Sequence, residues 1–250
     1  MILLVDIGNT RIKWAQLEHG NLQPQSAAPH ADWTAEKFGA AILRSDRAER
    51  VLISNVSGPR MADIARAAMK QSWQIEPEFV VSTAMAGGVR SAYPQPEKLG
   101  TDRWLAIIGA HALERGAVCT VSIGTAMTID GVDAAGRHLG GVIVPGPDLM
   151  VSSLLRNTSD IAQRAQGGAA IESLFADNTL GAIRQGAEHA LSALVERAVG
   201  VMQRTLGENP KLLITGGASS RLEKAIALPY RVVPDLVLRG LAVLAGQPRS

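Results

Sequence analysis

The sequence predicts an α/β protein of two similar lobes, and three observations carry that prediction. Short uninterrupted apolar runs recur, such as Ile2-Leu3-Leu4-Val5 and Leu212-Leu213-Ile214, as strands buried on both faces require. Segments with apolar residues at helical spacing alternate with them. Finally, Val5-Asp6-Ile7-Gly8-Asn9-Thr10 aligns with Val121-Ser122-Ile123-Gly124-Thr125-Ala126, each a strand end, a glycine turn and the start of a second strand. Such a match reads as an internal duplication. It sets the expected lobe boundary near Gly116, with one lobe over 1–115 and the other over 116–250.

The elements follow in chain order. Ile2–Val5 is a buried strand, the next five residues a tight turn, and Arg11–Leu17 the returning strand of a hairpin. Val51–Val56 is another buried strand. Gly58-Pro59 then opens a helix, with proline at an early position where its missing N–H costs little. Met61, Ile64, Ala65, Ala68 and Met69 form that helix's apolar face. Phe79–Ser82 reads as a short strand, and Ala92–Gly100, carrying Pro94 and Pro96, as an irregular loop. Asp102–Arg115 is expected to be helical, with Leu105, Ile108 and Ala112 on one side.

The second half repeats the plan. Val118–Ile123 and Ala126–Val132 form a hairpin around a glycine turn. Ile183–Leu206 is a long helix whose core positions are Ala187, Leu191, Leu194, Ala198, Val201 and Met202. Leu212–Ile214 is a buried strand closed by Thr215-Gly216-Gly217-Ala218, and Leu236–Ala245 is a final apolar helix.

Composition excludes several classes of function. Hydrophobic residues make up 46% and charged residues 19% of 250, which is a globular balance. A net charge of +2, without a basic run interleaved with aromatics, gives no footprint for nucleic acid. No apolar run is long enough to span a membrane. Met1 leads directly into the first strand without a basic segment, so no secretory signal is expected. The single cysteine, Cys119, lies in an apolar run and reads as core; with no possible internal disulfide, a reducing, cytoplasmic setting is expected. The five histidines show no metal-ligand spacing.

Chemistry points to three glycine turns that follow buried strands: Asp6–Thr10, Ile123–Thr128 and Thr215–Ser219. Any one could simply satisfy turn geometry. Together they offer backbone N–H groups and hydroxyls for phosphate, which favours a nucleotide cleft between the lobes. Neither G-x-G-x-x-G at the first turn nor a P-loop motif is present. A second segment, Gly100-Thr101-Asp102-Arg103, sits at a loop–helix junction. There Thr101 or Asp102 could cap the helix. Alternatively Asp102 could accept a proton from a substrate hydroxyl while Arg103 binds an anion or keeps Asp102 ionised.

The first turn resembles the hairpin phosphate loop of the acetate kinase, sugar kinase, Hsp70 and actin group, in which an acidic residue at the first strand end serves Mg²⁺ and phosphate. Asp6 holds that place. More specifically, Asp6-Ile7-Gly8-Asn9-Thr10, Gly100-Thr101-Asp102-Arg103, Ile123-Gly124-Thr125-Ala126, Thr215-Gly216-Gly217-Ala218 and Pro234-Asp235-Leu236-Val237-Leu238-Arg239-Gly240-Leu241 resemble the type III pantothenate kinases in order and spacing.

The resemblance implies two ribonuclease H-like lobes of the actin-like ATPase type. It implies ATP-dependent phosphorylation of pantothenate, the first step toward coenzyme A. The phosphate loop falls on Asp6, Ile7, Gly8, Asn9, Thr10, Arg11, Ile12 and Lys13, with Thr125 on the second loop. Pantothenate contacts fall on Tyr93, Gly100, Thr101, Asp102, Arg103 and Thr179, and the base on Asp102. Mg²⁺ is served from Asp6 through phosphates and water, and a homodimer is expected. On the residues alone, Tyr93 could pack a loop and Thr179 could cap a helix.

One position departs from the pattern. The family usually carries Asp before the second glycine turn, as a ligand of K⁺ or NH₄⁺; here Ser122 stands there. A hydroxyl is a poorer cation ligand than a carboxylate, so weak dependence on a monovalent ion is expected. Two other functions compete: a catalytically silent nucleotide-binding regulator of the same fold, and a kinase for another small hydroxy acid. Asp6, Asp102, Arg103 and Thr179 are all present, which favours the pantothenate kinase.

Overall fold

The structure is a computed structural model and describes residues 1–44, 47–168, 173–222 and 225–247. The chain divides into two compact units. One comprises Met1–Arg115, Ala134–His138 and Asp235–Ser250; the other comprises Gly116–Asp133 and Leu139–Pro234.

The first unit begins with β1 (Ile2–Ile7) and β2 (Arg11–Glu18), an antiparallel hairpin. It continues through β3 (Asn21–Leu22), β4 (Ser26–Pro29), α1 (Ala35–Ile42), β5 (Arg50–Asn55), α2 (Pro59–Ser72) and β6 (Glu78–Phe79). The sheet order is β3-β2-β1-β5-β6, with β4 also paired to β2. β5 runs parallel to β1, and β6 parallel to β5. A small ribbon of β7 (Met85–Ala86) and β8 (Val89–Arg90) leads into the loop before α3 (Thr101–Leu113).

Alternation along β1 sorts its side chains onto two faces. Leu3, Val5 and Ile7 join Ile12, Val51 and Ile53 in a core shared with Phe38 and Ile42 of α1 and Met61, Ala65 and Met69 of α2. Each large side chain so buried contributes roughly 1.5–3 kcal/mol. Leu4 and Asp6 lie on the other face, which α3 and α7 (Leu236–Ala245) cover. Those two helices cross closely because Gly109 and Gly240 lack side chains. A Cβ on Gly109 would come within 2.5 Å of the Leu236 carbonyl oxygen, and one on Gly240 would fall on that of Leu105.

The second unit contains β9 (Val118–Ile123), β10 (Ala126–Val132), β11 (His138–Pro145, whose first residue belongs to the first unit), α4 (Pro147–Asn157), α5 (Ser159–Arg164), α6 (Thr179–Leu206), β12 (Lys211–Thr215) and β13 (Tyr230–Val232). Its sheet order, β11-β10-β9-β12-β13, repeats that of the first unit. β10 is antiparallel to β9 and β12 parallel to it, as β2 and β5 are to β1. In each hairpin the glycine N–H closes the turn at 3.0 Å, Gly8 on the Arg11 carbonyl and Gly124 on that of Ala126, the second turn being one residue shorter. Cys119, Val121 and Ile123 pack with Met127, Leu191 and Val195. Burial pushes the Cys119 thiol up to about 12, with Asp130 adding to the effect, so this cysteine is an inert core residue.

Several elements differ from their sequence expectation. Of the expected Phe79–Ser82 strand only Phe79 forms ladder, because β6 is Glu78–Phe79 and pairs just with Leu52 and Ile53. α3 is buried all round from Arg103 to Ala110, yet Ala112 is exposed where the helix emerges from under its neighbours. α6 starts four residues early. Its Val201 is 44% exposed while Met202 is buried, since adjacent helical positions lie about 100° apart and one stripe holds only one of them.

Candidate active site

Strand register assembles the first part of the site. Asp6 stands opposite Lys13 in the β1–β2 hairpin and opposite Ser54 in the parallel β1–β5 pair. Residues paired in this way project from the same face. The three therefore form a polar row across the sheet, on the face covered by α3 and α7. Asp6 is only 7% exposed.

Burial pushes the Asp6 carboxyl up to about 6 from an ordinary 3.8; Lys13 opposes the rise, Asp102 adds to it, and the nearby Ser54 hydroxyl opposes it. Even so, Asp6 Oδ1 and Ser54 Oγ are both buried without a well-formed hydrogen bond among the described residues. Burial also lowers the Lys13 ammonium from its usual range; Asp6 pulls it back up, Arg11 lowers it further and Asp235 raises it. Asp6, Lys13, Asp102 and Asp235 thus share one electrostatic neighbourhood.

Helix starts supply the two additional acids. Asp102 lies in the first turn of α3, after the cap residue Gly100. Its Oδ1 accepts from the Arg103 N–H at 2.9 Å. A Cβ on Gly100 would come within 2.8 Å of that oxygen, so only glycine leaves the carboxylate this place. Neither Thr101 nor Asp102 is the cap. Asp235 precedes α7 and accepts from Arg239 Nε at 2.9 Å. Carboxylates near a helix N-terminus gain from its dipole.

The loop before α3 forms an aromatic wall. Arg103, 6% exposed, donates from Nη1 to the Tyr93 hydroxyl at 3.1 Å, with its guanidinium 5.8 Å from the ring centroid. On Tyr93 stacks His138, with centroids 6.2 Å apart and planes 7° from parallel. The Ala92 N–H donates to His138 Nδ1. Ser82 Oγ anchors the end of the loop through the Leu99 carbonyl at 2.8 Å. Tyr93 is therefore held by both neighbours as well as by its own backbone.

The second unit places its candidates on equivalent register positions. Ser122 pairs with Thr128 and Thr215, so a row of hydroxyls stands where the first unit has Asp6, Lys13 and Ser54. The Ile123–Thr125 turn is enclosed by two glycines. Gly216, with φ +100°, would place a Cβ against Ile123 backbone, and Gly146 would place one against Gly124. Gly146 N–H donates to the Thr125 carbonyl at 2.8 Å. Thr179 is the first residue of α6; the cap is Asn178, whose Oδ1 accepts from Gly181 N–H at 2.8 Å.

The structure thus brings Asp6, Lys13 and Asp102 together and links Tyr93 to Arg103. It adds Ser54, Asp235 and His138, for which sequence reasoning proposed no role. Asp235 stood inside a recognised motif, and Ser54-Asn55 ends an apolar strand with polar residues; His138 offered no signal. A hard cation needs oxygen donors. The orphaned Asp6 Oδ1 and Ser54 Oγ fit that demand, although no cluster of three or more His, Cys, Asp or Glu able to hold a metal exists among the described residues.

Comparison with known proteins identifies the family of the chain. The family model described as type III pantothenate kinase matches residues 2–200. A type III pantothenate kinase of Nitrosococcus oceani is 38% identical, over 98% of this chain and 94% of its own. One from Aromatoleum aromaticum is also 38% identical, over 98% of each. Among solved structures, a Sinorhizobium meliloti protein assigned as a 2-dehydro-3-deoxygalactonokinase superposes with TM-score 0.61 at 14% identity, over 100% of this chain and 98% of that one. Likeness at that identity bears on the fold, and it agrees with the duplicated sheet order. With a family match over most of its length and relatives at this identity, the chain belongs to the type III pantothenate kinase family.

Proposed function

We propose that this protein transfers the γ-phosphoryl group of ATP to the hydroxyl of pantothenate, as the first step toward coenzyme A. The observation that carries the reading is the convergence of Asp102, at the start of α3, with Asp6, buried near the end of β1, and Lys13 opposite it on β2. Family membership supports the choice of pantothenate as acceptor.

In this reading the turn after Gly8 presents backbone N–H groups to the nucleotide phosphates, with Lys13 as the adjacent positive charge. Thr125, on the equivalent turn of the second unit, is assigned the same partner. Asp6 is the group that would hold Mg²⁺, directly or through water. When bound, such an ion neutralises phosphate charge and favours in-line displacement.

Asp102 accepts the hydroxyl proton as the pantothenate oxygen forms its bond to the γ-phosphorus and the bond to the β-phosphate oxygen breaks. The Arg103 N–H on Asp102 Oδ1 orients the carboxylate for that role. Arg103 and Tyr93 face the acceptor, Arg103 as a fixed cation suited to a carboxylate. Gly100, Thr101 and Thr179 complete the contacts we assign to pantothenate.

Ser122, in its row of neutral hydroxyls, supports weak dependence on K⁺ or NH₄⁺. We further infer a homodimer and a cytoplasmic location; no helix among the described residues is long and apolar enough to cross a membrane. The silent-regulator alternative would leave this acid pair without a task.

The test is ADP release from purified protein with Mg²⁺ and ATP, with and without pantothenate, in Na⁺ and in K⁺ buffers. Pantothenate-dependent ADP at similar rates in both salts is expected. No dependence on pantothenate would refute the acceptor, and strong selective activation by K⁺ would refute the reading of Ser122.

A further inference from the structure

We infer that His30 is a positioning residue for the phosphate-binding turn, locking the Gly8–Asn9 peptide so that its N–H faces the nucleotide. The inference rests on the reading above, in which that turn receives ATP phosphates.

His30 follows β4, which pairs with β2 in a register setting Pro29 opposite Arg11. That pairing brings a residue distant in sequence beneath the hairpin turn. The ring is buried, with the residue 4% exposed, and Nε2 lies 2.6 Å from the Gly8 carbonyl oxygen. A carbonyl only accepts, so Nε2 carries the proton. The His30 N–H also reaches the Thr10 carbonyl, at 3.4 Å. One residue therefore holds the turn at both ends. His30 is itself fixed: its carbonyl accepts from Trp33 N–H at 3.1 Å, and Trp33 packs edge-on against Phe38 and tilted against Trp14.

The consequence follows from peptide geometry. In a trans peptide the C=O and N–H point in opposite directions. With the Gly8 oxygen drawn toward the buried ring, the Asn9 N–H must point away from it. Asn9 is exposed, so that donor is turned away from the interior. Glycine resists a flip of the adjoining peptide less than any other residue. Without an anchor on its carbonyl, the Gly8–Asn9 unit would sample the inverted orientation, presenting an oxygen to a polyanion. His30 thus selects the donor-outward form before the nucleotide arrives, which is preorganisation of an anion site rather than contact with it.

The experiment compares binding of the Mg²⁺ complex of an imido-bridged, non-hydrolysable ATP analogue with binding of adenosine, by calorimetry. It uses the wild type, His30→Phe and His30→Gln, the last retaining a side-chain N–H donor. Losing one hydrogen bond that favours the competent conformer predicts a roughly three- to tenfold weaker affinity for the analogue in His30→Phe. Adenosine binding stays unchanged, and His30→Gln recovers most of the loss. In the wild type, ¹⁵N shifts of the imidazole report the proton on Nε2; this measurement and His30→Gln decide the matter if the Phe variant does not fold. Equal losses for the analogue and adenosine, an unchanged analogue affinity, no recovery with Gln, or a proton on Nδ1 alone would each overturn the inference. A wild type that binds the analogue no better than adenosine would instead remove the phosphate assignment of the turn itself.

Discussion

Replacing Asp6 with Asn removes a charge that the folded protein holds in a buried position, and the structure sets how large the effect should be. In the metal-free protein the carboxyl is raised from 3.8 to about 6. A shift of that size corresponds to about 3 kcal/mol of penalty on the ionised form once pH exceeds both values. Attraction to Lys13 already opposes the shift, so the penalty is net of that ion pair. The folded state binds the Asp6 proton more tightly than the unfolded state does. This group's contribution is therefore fully present below about pH 4 and is lost as pH rises toward and past 6.

An Asn at this position does not titrate, so the variant should gain on the wild type across that window. Thermal melts in chelator, without nucleotide, should show Tm values nearly equal near pH 4. The difference should then open in favour of Asp6→Asn, reaching roughly 6–12 °C above pH 7 for a chain of this size. Activity should move the other way, because the residue that would hold the metal is gone. Functional sites commonly carry such a stability penalty. A variant less stable than wild type at pH 7.5, or a difference that ignores pH, would refute the argument.

Asp102→Asn should lower turnover by about 10²–10⁴-fold while leaving most of the ATP affinity. It should also lower the Asp6 pKa, followed by carboxyl ¹³C shifts, because Asp102 is one of the charges raising it. Tyr93→Phe deletes the hydroxyl that accepts from Arg103, and should raise KM for pantothenate about two- to tenfold with KM for ATP unchanged, in steady-state assays varying each substrate. Gly240→Ala forces a methyl onto the Leu105 carbonyl where α7 crosses α3, and should cost about 1–3 kcal/mol in urea unfolding.

The strands and the candidate acids Asp6 and Asp102 were legible because they depend on local pattern. Apolar runs and glycine turns placed β1, β2, β5, β9, β10 and β12 within a residue or two of their observed ends. Among the elements without such a signal are α1, β11 and α4. Gly140-Gly141 and Pro145 interrupt the β-like pattern of β11, and α1 has only eight residues in which to show a period. Tyr93 is held by Arg103 and His138, one ten residues away and the other in a different hairpin, so no local signal announces its placement.

By itself the sequence determined the α/β class, the duplicated hairpins, the buried state of Cys119 and the family, since each is written in short windows of residue type and spacing. Tertiary structure alone decided that Ser54 stands beside Asp6, that α7 covers the same sheet face as α3, and that His30 holds the Gly8 carbonyl. Strand register and helix crossing bring together residues far apart along the chain. Burial at those junctions moves the Asp6 carboxyl to about 6, a property no isolated stretch of the sequence possesses.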